Sequence, residues 1–472
     1  MKRADFVPSA RKIQNPPFGE VSEKIQGSCR CPIPRAMCVV FCTFVLLLNG
    51  FPTARGAEPQ EWTRDNLESL VTLYRHFHSH PELSQREEET SRRLAQELKA
   101  VGAEVTERVG GFGVVAFLRN GPGPTIMMRT DLDALPVTEQ TGLVFASQAR
   151  VADESGAEVG VMHACGHDLH MTNLVGVARF LAAHKDRWHG TAMFLGQPAE
   201  ERGAGARAML DDGLFSRFPK PDLALAIHVD SFLATGFVGV RSGYSLANVD
   251  SVDVTIRGKG GHGAYPHRTI DPIVQAAELI VSLQTLVSRE VKPTEAAVIT
   301  VGSIHGGTKH NIIGESCHLQ ITVRSYSDDV RKQLLDGIHR KAKAIAAAYK
   351  APEPTIKISE GTPALWNDES LAARLTPVFK KLLGADKVAA SEPSMGGEDF
   401  SEYGRAGVPI LMFQLGVVDA KRLARFKELG QEPPSLHSPI FYPDVEDSLL
   451  TGIPAMATAA MELFRSPPAA KK

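Results

Sequence analysis

Cysteine is scarce in this chain, and most of it falls outside the part expected to fold. Of six cysteines, Cys29, Cys31, Cys38 and Cys42 lie near the N-terminus, leaving Cys165 and Cys317 far apart in sequence. Two distant thiols imply no disulfide framework. Excess charge is also lacking: 52 Lys and Arg stand against 54 Asp and Glu, a formal net charge of -2. That balance gives no electrostatic case for nucleic acid or an anionic membrane surface as a partner. The chain has no internal repeats. Its longest apolar run, AMCVVFCTFVLLLN at 36–49, follows Arg30 and Arg35 and is shorter than the roughly 20 residues a transmembrane helix needs. A secretory signal fits that run, with Ala54-Arg55-Gly56-Ala57 as the cleavage site and a mature chain from Glu58. An uncleaved membrane anchor is the alternative, and either Met1 or Met37 can serve as the start. The expected location is therefore exported, periplasmic or secreted.

What is present is concentrated at Val161 to His170, VMHACGHDLH. Cys165, His167, Asp168 and His170, with His163 just upstream, can each bind a divalent metal once deprotonated, and Gly166 permits a tight turn among them. A Cys and a His two apart cannot share a helix face, but they can converge from a looped backbone. Met171, Leu174, Val175, Val177, Phe180 and Leu181 then space as one apolar helical face, which puts Asp168 at the N-cap. One such residue would read as an ordinary core or surface side chain; four candidate ligands in so short a run predict a metal site. An exported chain that keeps a free Cys then has a reason to tolerate it, since a thiolate held by metal is protected.

At 472 residues the chain is long for one core and predicts two domains. Residues 62–80 and Glu87 to Val101 read as helices. Short apolar runs follow at Gly113–Leu118, Thr125–Arg129, Thr191–Leu195, Leu223–Ile227 and Val408–Leu415, alternating with helical patterns. Such alternation predicts an α/β fold with a mainly parallel sheet covered on both faces. Ligands of such sheets bind beyond the carboxyl ends of strands, and Asp131, Glu200, Glu201 and His228 all follow strand-like runs. From Asn248 the texture changes: strand 250–257, helix 270–286, strands 297–304 and 318–323, helix 328–349, strand 355–358. That βαββαβ order is ferredoxin-like. The expected organisation is a leader at 1–57, a catalytic domain at 58–247 and 360–472, and an inserted domain at 248–359. The linkers fall near Ser242–Ala247 and Glu360–Leu365, and the last residues, 466–472, read as frayed.

A catalytic zinc takes N, O or S ligands and keeps one position open. Two metals roughly 3.5–4 Å apart polarise a carbonyl and activate a water between them. Such a site needs a bridging anion, terminal His and carboxylate ligands, and a free carboxylate as general base. Glu200 and Glu201 are adjacent, so their side chains diverge, which suits dividing ligand from base. An acidic pair is more often a solvated loop end, but MFLG before it and Gly203-Ala204-Gly205 after it favour a buried edge. His228 alone would read as a satisfied core histidine. His437 in LHSP is weak by spacing alone.

With HSHPELS (His78 to Ser84), RTDLDALP (Arg129 to Pro136), MHACGHDLH, PAEE, GKGGHGAYPH (Gly258 to His267), GGEDF (Gly396 to Phe400) and LHSP in order, the chain resembles the two-zinc aminoacylase and carboxypeptidase family. It looks closest to the N-acyl-amino-acid amidohydrolase branch, which includes hippurate and auxin-conjugate hydrolases. The resemblance covers about Asn66 to Phe464. It implies that Cys165 bridges two divalent metals, zinc first and manganese or cobalt as alternatives, with His167, Glu201, His228 and His437 as further ligands. It implies Glu200 as general base, Asp131 as a carboxylate that orients a ligand, and Asn311 as a contact to the substrate carboxylate or oxyanion. A homodimer through the inserted domain is implied, with His262 reaching the partner's active site. The substrate implied is an N-acyl amino acid. A dipeptidase or carboxypeptidase on the same scaffold, or an exported binding protein without activity, are the alternatives. Two departures stand out. Residues 148–160 lengthen the approach to the Cys motif, which is expected to reshape the pocket rim. Arg129-Thr130-Asp131 replaces the His-x-Asp ligand of the carboxypeptidase branch.

Overall fold

The computed structural model describes residues 58–153 and 155–465; the leader, the cleavage site and the frayed C-terminus expected above lie outside them. An eight-stranded sheet organises the structure. Across it run Glu104–Val109, Gly113–Asn120, Gly190–Gln197, Thr125–Asp131, Leu223–Ala234, Ile410–Val418, Val238–Val240 and Val388–Ala390. Its four central strands, from Gly190–Gln197 to Ile410–Val418, are mutually parallel, and an antiparallel hairpin extends one side. Strands buried on both faces read as continuous apolar runs, which is why MFLG, LALAI and ILMF were legible.

Alternation along each strand divides two cores. Ile126, Met128, Leu225 and Ile227 face a core shared with the helices His167–Ala183 and Val445–Leu463. Met127, Ala224, Ala226 and Met412 face a second core that includes Met209, Phe400 and Tyr403. Both faces are therefore covered, as expected for this α/β class.

Between these strands the chain builds a separate four-stranded sheet, in the order Ala297–Gly306, Ser316–Ser325, Asn248–Arg257, Thr355–Glu360, antiparallel throughout. With helices Pro272–Thr285 and Asp328–Ala348 it encloses its own core around Val252, Leu279, Leu319 and Leu334. This is the ferredoxin-like order read from the sequence. The Asp271 and Ser327 side chains cap the two helices. The segments on either side pair with each other, Gly243–Leu246 against Leu365–Asn367, so the linkers are strands rather than loose chain.

Several local expectations differ. The helix read over 62–80 breaks at Asn66 into Pro59–Asp65 and Leu67–Ser79. His228 lies inside a strand rather than after it, because Leu223–Ala234 runs well past its apolar start. Asp168 is not an N-cap: helix His167–Ala183 begins after Gly166, and Asp168 sits in its first turn. Residues 150–152 and 158–160 pair as a short hairpin. Among the described residues of 148–160, none lines the cavity beside the Cys motif, so the expected effect on the pocket rim is not found there. Among the described residues, no helix is long and apolar enough to cross a membrane.

Candidate metal centre

Gly166 makes the turn at the heart of the site. Its φ of 80° is left-handed, and a Cβ there would meet Val229 Cγ2 at 2.7 Å. The turn throws Cys165 and His167 to the same side. The His167 Nδ1 donates to the Asp133 carbonyl at 2.8 Å, which leaves its buried Nε2 without a hydrogen-bond partner and aimed at the acids. His228 arrives from its strand with Nδ1 donating to the Val229 carbonyl (2.9 Å), so its Nε2 faces the Cys165 sulfur at 3.7 Å. Ala199 (φ 49°) turns the chain after strand Gly190–Gln197 and delivers Glu200 and Glu201. His437, also left-handed at φ 68°, is pinned by its backbone N–H on the Ala164 carbonyl (2.9 Å), which sets its Nε2 3.4 Å from Glu201.

These donors form overlapping groups. Cys165 groups with His167 and His228, and again with Glu201 and His437; His167 groups with Glu200 and Glu201. Within each group all donor atoms lie within 4.8 Å of one another. The electrostatics ask for a cation. Burial and the carboxylates of Glu201, Glu200 and Asp131 push the Cys165 thiol well above its ordinary value, so ionising it as a ligand requires compensating positive charge. Glu201 Oε1, like His167 Nε2, is buried without a hydrogen-bond partner. Orphaned imidazole and carboxylate donors beside a thiol, converging on one point, fit a divalent metal such as zinc.

Behind the donors lies a buried charge cluster. Arg129 is fully enclosed and bonds Asp131 Oδ2 (2.7 Å), Glu398 Oε1 (2.8 Å), Asp399 Oδ1 (3.2 Å) and Gln197 Oε1 (3.0 Å). Glu200 abuts Glu398 and Asp399. Burial, with Glu398, Glu201 and Asp399 beside it, holds the Glu200 carboxyl well above the usual carboxylate range, a direction that suits an acid–base group. Asp131 accepts from His170 Nδ1 at 2.7 Å, and His170 Nε2 accepts the Val229 N–H at 3.0 Å. His170 therefore has both nitrogens engaged within the protein.

The sequence reading gave no role to Asp133, Glu398, Asp399 or Arg129. Asp133 holds the Nδ1 side of His167, while its Oδ2 accepts the Glu201 N–H (3.0 Å) and the Ser84 hydroxyl (2.6 Å). Asp131, expected to orient a ligand, lies 3.7 Å from the other nitrogen of His167 and bonds Arg129 and His170. The RTDLDALP and GGEDF motifs contained these residues, but nothing in their spacing says which side chains meet. Asp168, one of the first candidates in the Cys motif, instead bonds His78 Nδ1 at 2.7 Å. His163 is buried with neither ring nitrogen hydrogen-bonded, and burial lowers its pKa to about 4.

The donors open onto a cavity of about 1340 Å³ whose wall includes Phe232, Leu246, Met412 and, from the inserted sheet, Val249, Ser251 and Arg324. His262 and Asn311 are exposed and do not line it; Gly261–His262 pairs with Ile312–Ile313 as a short ribbon beside the inserted sheet.

Comparison with known proteins bears on this site. The model of peptidase family M20/M25/M40 matches residues 127–428. N-acetyl-L-cysteine deacetylase of Bacillus subtilis is 38% identical over 335 residues, 71% of this chain and 77% of that protein. Thermostable carboxypeptidase 1 of Saccharolobus solfataricus is 35% identical over 357 residues, 75% of this chain and 87% of that protein. The crystal structure of a dinuclear metal binding peptidase from the M20 family, from Bacillus subtilis, superimposes with a TM-score of 0.69 at 30% identity, covering 84% of this chain and 98% of that one.

Proposed function

The chain belongs to peptidase family M20/M25/M40, and from that premise we propose that it is a metal-dependent amidohydrolase that cleaves the amide bond of N-acyl amino acids. The observation that carries the reading is the convergence of Cys165, Glu201, His228 and His437 on one cavity, with Glu200 beside them and His167 grouped with Cys165 and His228 behind its wall. Cys165 belongs to two donor groups, and with His167, Glu201, His228 and His437 it would hold two divalent ions, for which the sulfur and imidazole donors favour zinc. When bound, such ions polarise the scissile carbonyl and make water more acidic. The chain's own residues do the rest. Glu200 takes the proton from the attacking water and passes it to the leaving amine nitrogen. Arg129 with Glu398 and Asp399 fixes the charge environment behind that carboxyl. Arg324 lines the cavity with its guanidinium held by the Thr322 hydroxyl and the Met395 carbonyl, both neutral, and suits the carboxylate of the amino-acid half.

The protein acts as a homodimer paired through the inserted domain of 248–359. Each copy's His262 completes the other's site by stabilising the oxyanion, and Asn311 contacts substrate. Their exposure away from the cavity of their own chain supports this arrangement. The protein is exported after cleavage near Ala57. A second reading, carboxypeptidase action, draws on the likeness to the Saccharolobus enzyme. A panel of N-acetyl and N-benzoyl amino acids and of peptides, run with metal analysis on the same sample, tests both. Faster cleavage of the N-acyl amino acids supports the first reading, and preference for peptides overturns it.

A further inference from the structure

The HSHPELS motif and the acids after it have no part in the chemistry above, yet they lie directly behind the two glutamates. Glu82 caps helix Glu88–Ala100 through the N–H groups of Glu89 (3.2 Å) and Thr90 (2.7 Å). Ser84 donates to Asp133, which in turn accepts the Glu201 N–H. Glu87 is fully buried and absent from the cavity wall. Its Oε1 accepts two backbone N–H groups at 2.8 Å each, from Gln85 and from Ala199. Both donors are left-handed, Gln85 at φ 66° and Ala199 at φ 49°, a conformation a Cβ disfavours. Ala199 immediately precedes Glu200, and its carbonyl accepts the Ala204 and Gly205 N–H groups that close the loop. The turn presenting both acids is thus gripped at two successive points, by Glu87 under residue 199 and by Asp133 under residue 201.

Resting on the reading of Glu200 as general base, we propose that Glu87 is a positioning residue that holds Ala199 left-handed and so aims the Glu200–Glu201 turn at the reacting centre. A side chain this buried is costly unless its acceptors are used; Oε2 has no hydrogen-bond partner, and Oε1 serves two backbone N–H groups at once. Burial and the neighbouring Asp133 push the Glu87 carboxyl up to about 7. Either protonation state leaves an oxygen that can accept both bonds, so the grip is geometric and not a matter of charge.

The test uses the full chain, loaded with zinc, as Glu87→Gln, Glu87→Met and Glu87→Met/Ala199→Gly. Glutamine keeps the accepting oxygen, and kcat should stay within about 5-fold of wild type. Methionine removes it, and kcat should fall about 100-fold with KM little changed and metal content equal, as for a misaimed catalytic group. Glycine at 199 adopts the left-handed turn freely and should restore kcat about 2- to 5-fold in the methionine background. In metal-free protein, exchange of the Ala199 amide should quicken about 5-fold in Glu87→Met and not in Glu87→Gln. Wild-type kcat in Glu87→Met overturns the proposal, as does a loss that tracks folded fraction and is not restored by Ala199→Gly. If the methionine variant does not fold, Glu87→Asp, which withdraws the carboxylate by one methylene, carries the same expectations. Failure of the base assignment reads differently: Glu200→Gln would then turn over like wild type.

Discussion

Replacing His78 with Gln should cost stability by an amount that depends on pH in a calculable way. The side chains of His78, Asp168 and Glu139 are 1, 1 and 0% exposed, and the imidazole lies 2.7 Å from Asp168 and 3.1 Å from Glu139. Burial alone would lower the His78 pKa, but the hydrogen bonds to Asp168 and Glu139 outweigh it and raise the value from its ordinary 6.5 to about 9. The folded state therefore binds a proton more tightly than the unfolded chain. That stabilisation is complete below about pH 6.5 and is lost as pH rises through about 9; a shift of this size is worth roughly 3 kcal/mol. Without the imidazolium, two buried carboxylates face each other uncompensated, at a cost of about 3–5 kcal/mol. Urea unfolding of the metal-loaded proteins between about pH 6 and pH 9.5 measures the gap. The gap should be largest near pH 6 and shrink by roughly 3 kcal/mol at the alkaline end. A gap that is constant with pH, or no gap, would refute the charged clamp.

Other perturbations test the site itself. Glu200→Gln should lower kcat about 10²- to 10⁴-fold while metal content, measured by mass spectrometry, stays at the wild-type level. Asp133→Asn removes the carboxylate that accepts the Glu201 N–H and lies 3.4 Å from His167 Nδ1, and should weaken metal affinity about 10- to 100-fold in a chelator competition. Gly166→Ala must accommodate a Cβ at φ 80° against Val229, and should destabilise by roughly 1–3 kcal/mol in denaturant unfolding.

The architecture was legible in the sequence where burial writes a simple pattern. Central strands buried on two faces appear as unbroken apolar runs, and the inserted sheet, buried on one face, alternates from Asn248 to Arg257. Val238–Val240 and the edge strand Val388–Ala390 are too short to leave a pattern. The same limit governs the site. Cys165 and His167 were visible because neighbours in sequence share one turn. His437 reaches the site through one backbone bond to Ala164 and a left-handed φ, neither of which has a residue signature. Arg129 would have been assigned to the surface by composition alone; its burial depends on Glu398 and Asp399, about 270 positions away. Asp168 was misplaced because an acid at a helix start ordinarily caps, whereas here His78 claims it.

Anomalous diffraction recorded across the zinc edge from crystals of zinc-reconstituted protein addresses the metal centre most directly. Two peaks roughly 3.5–4 Å apart should appear, with the Cys165 sulfur within bonding distance of both and His167, Glu201, His228 and His437 supplying the remaining protein donors. Peaks elsewhere, or a reconstituted site in which Cys165 binds no metal, would contradict the assignment.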